Sequence, residues 1–331
     1  MTIQFRNAFL HITIAFVLHL SSSVFAQDID ELVEHRYVDN DGVNLHYVRM
    51  GSGPLMVLIH GFPDFWYTWR NQIGPLAEHY TVVAMDTRGY NLSDQPQGVE
   101  NYALDILVSD VAAVVEAEGE SSAIIVGHDW GGGIAWSVAA MRPDITEQLI
   151  ILNLPHPANL VRELAKFEQQ HENSVYARNF QQPDYHEKIS GDALATGLAR
   201  GDADLFAKYS EAFGRSNIES MMNYYRANYP RDPYTSGPFL ELPEVKAPVL
   251  QFHGLLDTAL LAEGVNSTWE HLAENWTLMT IPGVNHFPHH ERPELVTQMM
   301  LAWLGVQRSP RSPLMGHSWD TANQFDTIAD N

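Results

Sequence analysis

The hydrophobic positions of this chain fall into short, nearly unbroken apolar runs separated by stretches of helical spacing. Each run has four to seven apolar or β-branched residues and ends at Gly, Pro, Asn or Asp. This pattern is typical of strands that are buried on both faces. It predicts strands at 43–50, 54–60, 80–86, 122–127, 148–153, 247–253 and 276–281.

Amphipathic helices are predicted between these strands. In 102–118, apolar residues stand three and four positions apart, as Leu104, Leu107 and Val108 do, and 292–304 repeats the pattern. Alternation of buried strands with such helices predicts an α/β fold, with a mostly parallel central sheet and helices on both faces.

The alternation stops between residues 156 and 242, where no buried-strand run occurs. The stretch begins after one predicted strand and ends before the next. It is therefore expected to be an inserted helical cap, or lid, over the carboxyl ends of the strands, where open α/β sheets bind ligands. Cap helices are predicted near 158–171, 185–199, 202–213 and 216–228.

The N-terminus has the composition of a secretory signal peptide. Arg6 precedes a mostly apolar stretch, and Val24 and Ala26 occupy the small-residue positions before a cleavage site. The stretch is shorter than the roughly 18 to 20 residues that span a bilayer, so an uncleaved anchor is the weaker alternative. We expect an exported protein, periplasmic or extracellular, with no stable membrane insertion after signal removal. The predicted segments are a signal peptide at 1–26, the core at 27–155 and 243–306, the helical cap at 156–242, and a polar C-terminal extension at 307–331.

Charge and cysteine content narrow the classes of partner. Acidic residues outnumber basic ones 41 to 19, so neither nucleic acid nor an anionic membrane surface is expected as a partner. The chain has no cysteine, which excludes disulfides, thiolate metal sites and a cysteine nucleophile. The expected partner is therefore a small-molecule substrate. The sequence does not decide whether the protein forms a homodimer.

One segment, Gly127-His128-Asp129-Trp130-Gly131, has the glycine spacing of the G-x-S-x-G turn, which exposes its central residue for attack. Here the central residue is an aspartate. The alternative is a nucleotide-binding turn, but the segment matches neither G-x-G-x-x-G nor the P-loop and has no Lys for phosphate. Asp129 is therefore a candidate nucleophile.

A carboxylate at this turn favours one class of reaction. It is ionised at neutral pH, so it can attack a saturated carbon with a strained or good leaving group without prior activation. The product is an alkyl ester of Asp129, whereas attack on an ester or amide would give a more reactive anhydride. Hydrolysis of the alkyl ester then needs an activated water and donors for the oxyanion.

An acid and a histidine follow in the chain order of α/β-hydrolases. Asp257 comes just after one predicted strand, and His286 lies in a short loop after the next. In this interpretation His286 deprotonates the water and Asp257 orients its imidazole. The neighbouring His289 and His290 raise the alternative of a surface cluster or metal site, but they lack the spacing of helical zinc sites. We expect neither a metal nor another cofactor.

Backbone N–H groups near the turn are the expected oxyanion donors, namely those of Phe62 and Trp130. Pro63 is a candidate for a cis peptide bond. His60 and His128 are expected to satisfy backbone groups around the turn. The substrate pocket is expected to include Phe62, Pro63, Trp66 and Trp130.

Several motifs occur together and in this order: HGFPDFWYTW, DTRGYNLSD, GHDWGG, NLPHP, NYYR, HGLLD and GVNHF. In this combination, residues 32–305 resemble the epoxide hydrolases of the α/β-hydrolase fold. The resemblance implies a hydrolase acting on ether bonds, with a small apolar epoxide as substrate and a vicinal diol as product. It also implies two cap tyrosines that protonate the opened ring: Tyr225, directly before the Arg of NYYR, and Tyr176, by its spacing to FQQP. Tyr224 is the alternative to Tyr225.

Two positions depart from the family pattern. Asn91 replaces the Gly that usually follows the aromatic residue of D-x-R-G-[YF], and Asn is the next best residue for a left-handed turn. Asn153 stands where some relatives carry the acid that supports the histidine. That role is assigned here to Asp257.

Two alternative functions use the same fold. Haloalkane dehalogenases share the Asp and His, but many resemble H-G-N-P, whose Asn donates to the halide, and this chain has Phe62 there. Fluoroacetate dehalogenases typically have Arg after the nucleophile, whereas Trp130 follows Asp129 here. A catalytically inactive ligand-binding relative is the other alternative, and intact Asp129, Asp257 and His286 argue against it.

Overall fold

The structure is a computed structural model, and it describes residues 28–308. Eight strands form one sheet: β1 (Glu34–Asn40), β2 (Val43–Gly51), β3 (Leu55–Ile59), β4 (Thr81–Met85), β5 (Ala123–His128), β6 (Thr146–Leu152), β7 (Val249–Gly254) and β8 (Trp276–Ile281). Their order is β1-β2-β4-β3-β5-β6-β7-β8. β2 pairs antiparallel with β1 and β4, and every other pair is parallel. The predicted mostly parallel sheet is confirmed.

Helices cover this sheet and are inserted between two of its strands. α2 packs against α3, and α1 packs against α11. Six helices, α4 to α9, lie between β6 and β7 in the described part of the chain. No helix within residues 28–308 is long and apolar enough to cross a membrane. The helices are α1 (Arg70–Ala77), α2 (Leu104–Ala117), α3 (Trp130–Met141), α4 (Pro157–Lys166), α5 (Glu168–Asn173), α6 (Val175–Phe180), α7 (Gly191–Ala199), α8 (Ala203–Arg215), α9 (Ile218–Asn228), α10 (Pro288–Glu291) and α11 (Pro293–Arg308).

The core is built from the apolar runs of the sequence. All five residues of β3 are buried, as are Leu107, Val111 and Val114 on one stripe of α2. A strand that is apolar at every position needs cover on both faces, and an amphipathic helix supplies it. The inserted helices begin just after the carboxyl end of β6, and Asp129 follows the carboxyl end of the neighbouring strand β5. The candidate site lies at this end of the sheet.

The structure differs from the sequence prediction in its less apolar elements. β1 has no counterpart among the predicted strands, because it is an edge strand whose side chains are exposed or half-buried. The predicted helix 158–171 is divided into α4 and α5 at Phe167, whose backbone is extended. A single extended residue leaves the helical spacing on both sides intact, so periodicity does not detect it. The signal peptide lies outside the described residues, as does the C-terminal extension beyond residue 308, and the segment boundaries stay predictions.

Candidate active site

Asp129 lies at the sharp turn between β5 and α3. Its φ is 52° and its ψ is −121°, a conformation that residues other than glycine rarely adopt. A Cβ on Gly127 would collide with the carbonyl oxygen of Gly131, and a Cβ on Gly131 would collide with that of Ile59. The two glycines therefore permit the turn, which leaves the Asp129 carboxylate at the start of α3, where the helix dipole favours negative charge.

The Asp129 carboxylate is held by the predicted oxyanion donors. The Phe62 N–H donates to its Oδ1 at 2.8 Å. The neighbouring Trp130 N–H acts to lower the pKa of the carboxylate. The Phe62–Pro63 peptide bond is cis. Burial acts to raise the pKa of Asp129, but the hydrogen bond to His286 and the charge of that residue outweigh it and lower the pKa. Asp129 is therefore ionised at neutral pH.

His286 lies between two carboxylates. Its Nδ1 is 2.8 Å from Oδ2 of Asp257, and its Nε2 is 3.4 Å from Oδ2 of Asp129. Burial acts to lower the pKa of His286, but the charge of Asp257 and the hydrogen bonds to both carboxylates raise it to about 10. The structure thus brings the three predicted residues together, with His286 carrying a proton while Asp129 is a free carboxylate.

The Asp257 carboxylate is fixed by groups other than the histidine. Its Oδ1 accepts the N–H groups of Ala259 at 2.8 Å and Leu260 at 3.0 Å. Its Oδ2 accepts Nδ2 of Asn153 at 2.8 Å. Burial acts to raise the pKa of Asp257, yet His286 and these donors lower it to about 2. Asn153, at the position of the alternative acid, thus serves as a support for Asp257.

His60 and His128 satisfy backbone groups, as predicted. His60 accepts the N–H of Thr87 at 3.0 Å through Nε2, and Nε2 of His128 donates to the carbonyl oxygen of His286 at 2.8 Å. Burial lowers the pKa of His128 to about 3, so this residue is neutral at pH 7. It therefore positions the loop that carries His286.

His289 and His290 both contact a threonine. The Nε2 atoms of the two rings lie 2.9 and 2.8 Å from Oγ1 of Thr68. Within residues 28–308, no group of three or more His, Asp or Glu side chains has an arrangement that could hold a metal ion. These rings join α10 to the segment before α1.

The two predicted tyrosines lie in the cap, next to each other and above the nucleophile. The ring centroid of Tyr225 is 4.9 Å from that of Trp130 and 6.3 Å from that of Tyr176. Burial, with the charge of Asp129, raises the pKa of both tyrosines well above their ordinary value, so both phenols are protonated at neutral pH. The hydroxyl of Tyr224, by contrast, donates to the carbonyl oxygen of Arg88 at 2.7 Å.

Two apolar cavities share Asp129, Tyr176 and Tyr225 in their walls. The inner chamber is the narrower one and is otherwise lined by Trp130, Gly133, Leu154, Pro157, Leu160, Tyr229, Phe239 and Leu260. The outer chamber is wider and is otherwise lined by Phe62, Pro63, Ala193, Leu194, Gly197, Leu198, Ala259, His286 and Phe287.

One predicted pocket residue, Trp66, lines neither chamber. It is buried, and its ring packs against Tyr67 and His35, with centroid distances of 5.3 and 6.0 Å. Its backbone N–H donates to Oδ1 of Asp86 at 3.0 Å. Its side chain lines a separate cavity, together with Asn91 and Arg215, and the structure does not bring it to the other predicted pocket residues.

The chamber walls include residues that were not predicted. Tyr229 lines the inner chamber, and it follows Tyr225 by four positions, a spacing that could have indicated one face of α9. α7 contributes Ala193 and Gly197 to the outer chamber. No local motif marks these two residues, because the tertiary position of the cap brings them to the site.

The chain is similar to known proteins over most of its length. A family model described as the alpha/beta hydrolase fold matches residues 54–293. The AB hydrolase superfamily protein YfhM of Bacillus subtilis is 34% identical over 290 residues, which cover 83% of this chain and 99% of that protein. Epoxide hydrolase 1 of Caenorhabditis elegans is 34% identical over 289 residues, which cover 82% and 70% of the two chains. The crystal structure of a mutant epoxide hydrolase from Bacillus megaterium is 34% identical, with a TM-score of 0.77, and the match covers 82% of this chain and 100% of that one.

The sheet order, the turn at Asp129 and the family match define the protein as an α/β-hydrolase. Within that fold, the chain belongs to the epoxide hydrolase family. The protein is therefore an enzyme of the class of hydrolases that act on ether bonds.

Proposed function

We propose that the protein converts an apolar epoxide into a vicinal diol through a covalent alkyl ester on Asp129. The observation that carries this proposal is the arrangement around that carboxylate. One of its oxygens is held by the Phe62 N–H, the other faces His286, and two protonated tyrosines share its cavity. A carboxylate so placed can open a strained ring whose leaving oxygen stays attached and needs a proton.

Ring opening is the first step of the proposed reaction. Oδ2 of Asp129 attacks an epoxide carbon, the carbon–oxygen bond of the ring breaks, and the oxygen takes a proton from Tyr225, assisted by Tyr176. Oδ1 remains hydrogen-bonded to the Phe62 N–H and becomes the carbonyl oxygen of the ester. The ester forms within a hydrogen bond of the group that later stabilises its oxyanion.

Hydrolysis of the ester is the second step. Esterification removes the charge of Asp129, one of the two carboxylates that raise the pKa of His286. The proton of His286 restores the phenol of Tyr225, which gave up its own proton in ring opening, and the imidazole becomes neutral. Neutral His286 then accepts a proton from a water that attacks Cγ of Asp129, while Asp257 stabilises the imidazolium. The bond between Cγ and Oδ2 breaks, Oδ2 takes the proton of the new carboxylic acid, and the diol leaves with Oδ2 while Asp129 is again a carboxylate.

The chambers support an apolar substrate with an aromatic substituent. Apart from the tyrosines, Asp129 and His286 are the only ionisable residues in the described walls of the two chambers. A second mutant of the Bacillus megaterium enzyme, 34% identical to this chain, was crystallised with its product (R)-3-[1]naphthyloxy-propane-1,2-diol. We therefore choose 1-naphthyl glycidyl ether as the test substrate.

The test compares an epoxide with a halide. The protein is incubated with 1-naphthyl glycidyl ether and, separately, with 1-bromobutane, and diol and bromide are measured. We expect diol from the wild type and none from Asp129→Ala, which lacks the nucleophile. Bromide without diol would instead identify a dehalogenase. Diol formation by Asp129→Ala would exclude the covalent route.

Export of the enzyme is also part of this proposal, on the basis of the composition of residues 1–26. Mass spectrometry of the protein recovered outside the cytoplasm should give a first residue near Gln27. Recovery of the full chain from the cytoplasm alone would contradict export.

A further inference from the structure

Asn91, in the loop after β4, makes contacts that its left-handed backbone does not require. Its φ is 45° and its side chain is buried. Nδ2 donates to Oδ2 of Asp86 at 2.8 Å, and Oδ1 accepts Nε of Arg215 at 3.0 Å. Its N–H donates to Oγ of Ser216 at 2.8 Å. One residue thus joins the core to the cap by three hydrogen bonds.

On the core side, the contact leads to the loop that carries the oxyanion donor. Asp86 is fully buried, and its Oδ1 accepts the Trp66 N–H at 3.0 Å. Trp66 follows Phe62 by four residues in the same loop. His46 also donates to Asp86, with Nδ1 2.6 Å from Oδ2. Asp86 therefore fixes the position of Asn91 relative to the loop that carries Phe62, which we call the oxyanion loop.

On the cap side, the contact leads to the helix that carries Tyr225. Arg215 is the last residue of α8, Ser216 follows it, and α9 begins at Ile218. Asn91 therefore holds the joint between α8 and α9. Tyr224, also on α9, is tied separately to the carbonyl oxygen of Arg88, so removal of Asn91 would loosen this helix without releasing it.

We propose that Asn91 is a positioning residue that sets Tyr225 against Asp129 and the Phe62 N–H. The inference rests on the proposed function, because it assigns proton donation to Tyr225. Ring opening requires the phenol and the nucleophile to act together on one epoxide, so it depends on the distance between α9 and the oxyanion loop. Hydrolysis of the ester depends on His286 and on the Phe62 N–H and does not need α9. The loop that carries Phe62 stays anchored to Asp86 through the Trp66 N–H when Asn91 is replaced. Asn91 should thus act on the first step alone.

Asn91→Gly separates this role from a purely conformational one. Glycine adopts a positive φ without cost, so a residue kept only for its backbone conformation could be replaced with no kinetic effect. Asp41→Gly is the matched control. Asp41 also has a positive φ, 51°, but it lies in the exposed turn between β1 and β2, away from the cap.

The experiment measures the two steps separately. Excess enzyme is mixed rapidly with 1-naphthyl glycidyl ether, and alkyl-enzyme and diol are followed by quenched-flow mass spectrometry. For Asn91→Gly we expect ester formation to slow roughly tenfold, within the loss that a misplaced group can cause, and ester hydrolysis to change less than about twofold. Arg215→Met, which breaks the link from the cap side, should show the same split, and the double variant should be no slower than the single ones.

Three outcomes are distinguishable. Equal ester formation in wild type, Asn91→Gly and Asp41→Gly would overturn the inference and leave the proposed function intact. Equal slowing of both steps, or strictly multiplicative effects in the double variant, would also overturn it. Absence of any alkyl-enzyme in the wild type would instead refute the proposed function.

Discussion

At the scale of single residues, the proposed reaction requires the charge of His286 to change between ring opening and hydrolysis of the ester. The free enzyme holds this imidazole protonated between Asp129 and Asp257, with its pKa raised to about 10. A general base must be neutral, and formation of the ester removes one of the two supporting charges. The charge of Asp129 thus controls the protonation of His286, the residue that later activates water to hydrolyse the ester.

The raised pKa of His286 predicts how stability depends on pH. Because the folded value lies above the ordinary value of about 6.5, the stabilisation is full below that value and is lost as the pH rises toward 10. The free energy of unfolding should fall by up to about 1.4 kcal/mol per pH unit in this window. Urea titrations of wild type and His286→Gln between pH 6.5 and 10 measure this. A slope of equal size in the variant would contradict the assignment.

The neighbouring Tyr224 and Tyr225 should respond differently to loss of the hydroxyl. Tyr225→Phe should slow ester formation by at least roughly 10²-fold, the lower range for a positioned general acid, because Tyr176 remains. Tyr224→Phe only loosens α9, so it should slow ester formation by no more than roughly tenfold. It should also lose about 1 to 3 kcal/mol of stability, since the Arg88 carbonyl loses a donor. Stopped-flow rates and urea unfolding of both variants check this. The opposite pattern would assign the acid to Tyr224.

The residues that sequence could predict are those fixed by local chain geometry. Glycine spacing locates Asp129, and the ends of two adjacent strands locate Asp257 and His286. Trp66 lies only four residues beyond Phe62 but lines a separate cavity, beside Asn91 and Arg215. A short-range motif does not specify which cavity such a side chain lines.

At the scale of elements, α7 forms one wall of the outer chamber, and there is open space next to this wall. Gly197 lies in this wall, and a Cβ there would meet no atom within 4 Å. The helix therefore leaves room at Gly197 for the part of a substrate that extends from the epoxide. A larger side chain should fill that room without disturbing the helix, since glycine is a poor helix former.

Gly197→Leu should thus exclude bulky epoxides selectively. We expect kcat/KM for 1-naphthyl glycidyl ether to fall roughly tenfold or more, while that for propylene oxide changes little. Gly214→Leu is the matched control, because Gly214 also lies in a cap helix with no atom within 4 Å of an added Cβ, but lines neither chamber. Equal losses on both substrates, or with both variants, would contradict this role for α7.

At the scale of the whole molecule, a buried ion pair within the core anchors the loop that contacts the cap. Nε and Nη2 of Arg88 contact both carboxylate oxygens of Asp110 on α2, at 2.6 and 2.5 Å. The carbonyl oxygen of Arg88 accepts the hydroxyl of Tyr224 from α9. The loop after β4 is thus anchored to the sheet cover on one side and the cap on the other.

Loss of this pair should be costly. Arg88→Met leaves Asp110 buried without its partner, and we expect unfolding to become easier by about 3 to 5 kcal/mol. Arg142→Met, which breaks the exposed pair with Asp144, should have no measurable effect. Urea unfolding of the two variants gives the comparison, and similar small effects would show that the buried pair contributes little.

The sheet and its order of strand and helix could be predicted because the apolar runs of the core are continuous. The cap was predicted less well, since its helices are short, are interrupted at Phe167, and have their positions set by contacts with the core. The homodimer left open by the sequence stays a prediction.

In the proposed reaction, the oxygen added to the product comes from Asp129 in the first turnover. A single turnover of 1-naphthyl glycidyl ether by excess enzyme in H₂¹⁸O tests this origin, with mass spectrometry of the diol and of the peptide that contains Asp129. We predict an unlabelled diol and one ¹⁸O atom in the Asp129 carboxylate, because water attacks Cγ. A diol that carries ¹⁸O after one turnover, with an unlabelled Asp129, would show direct attack by water and contradict it.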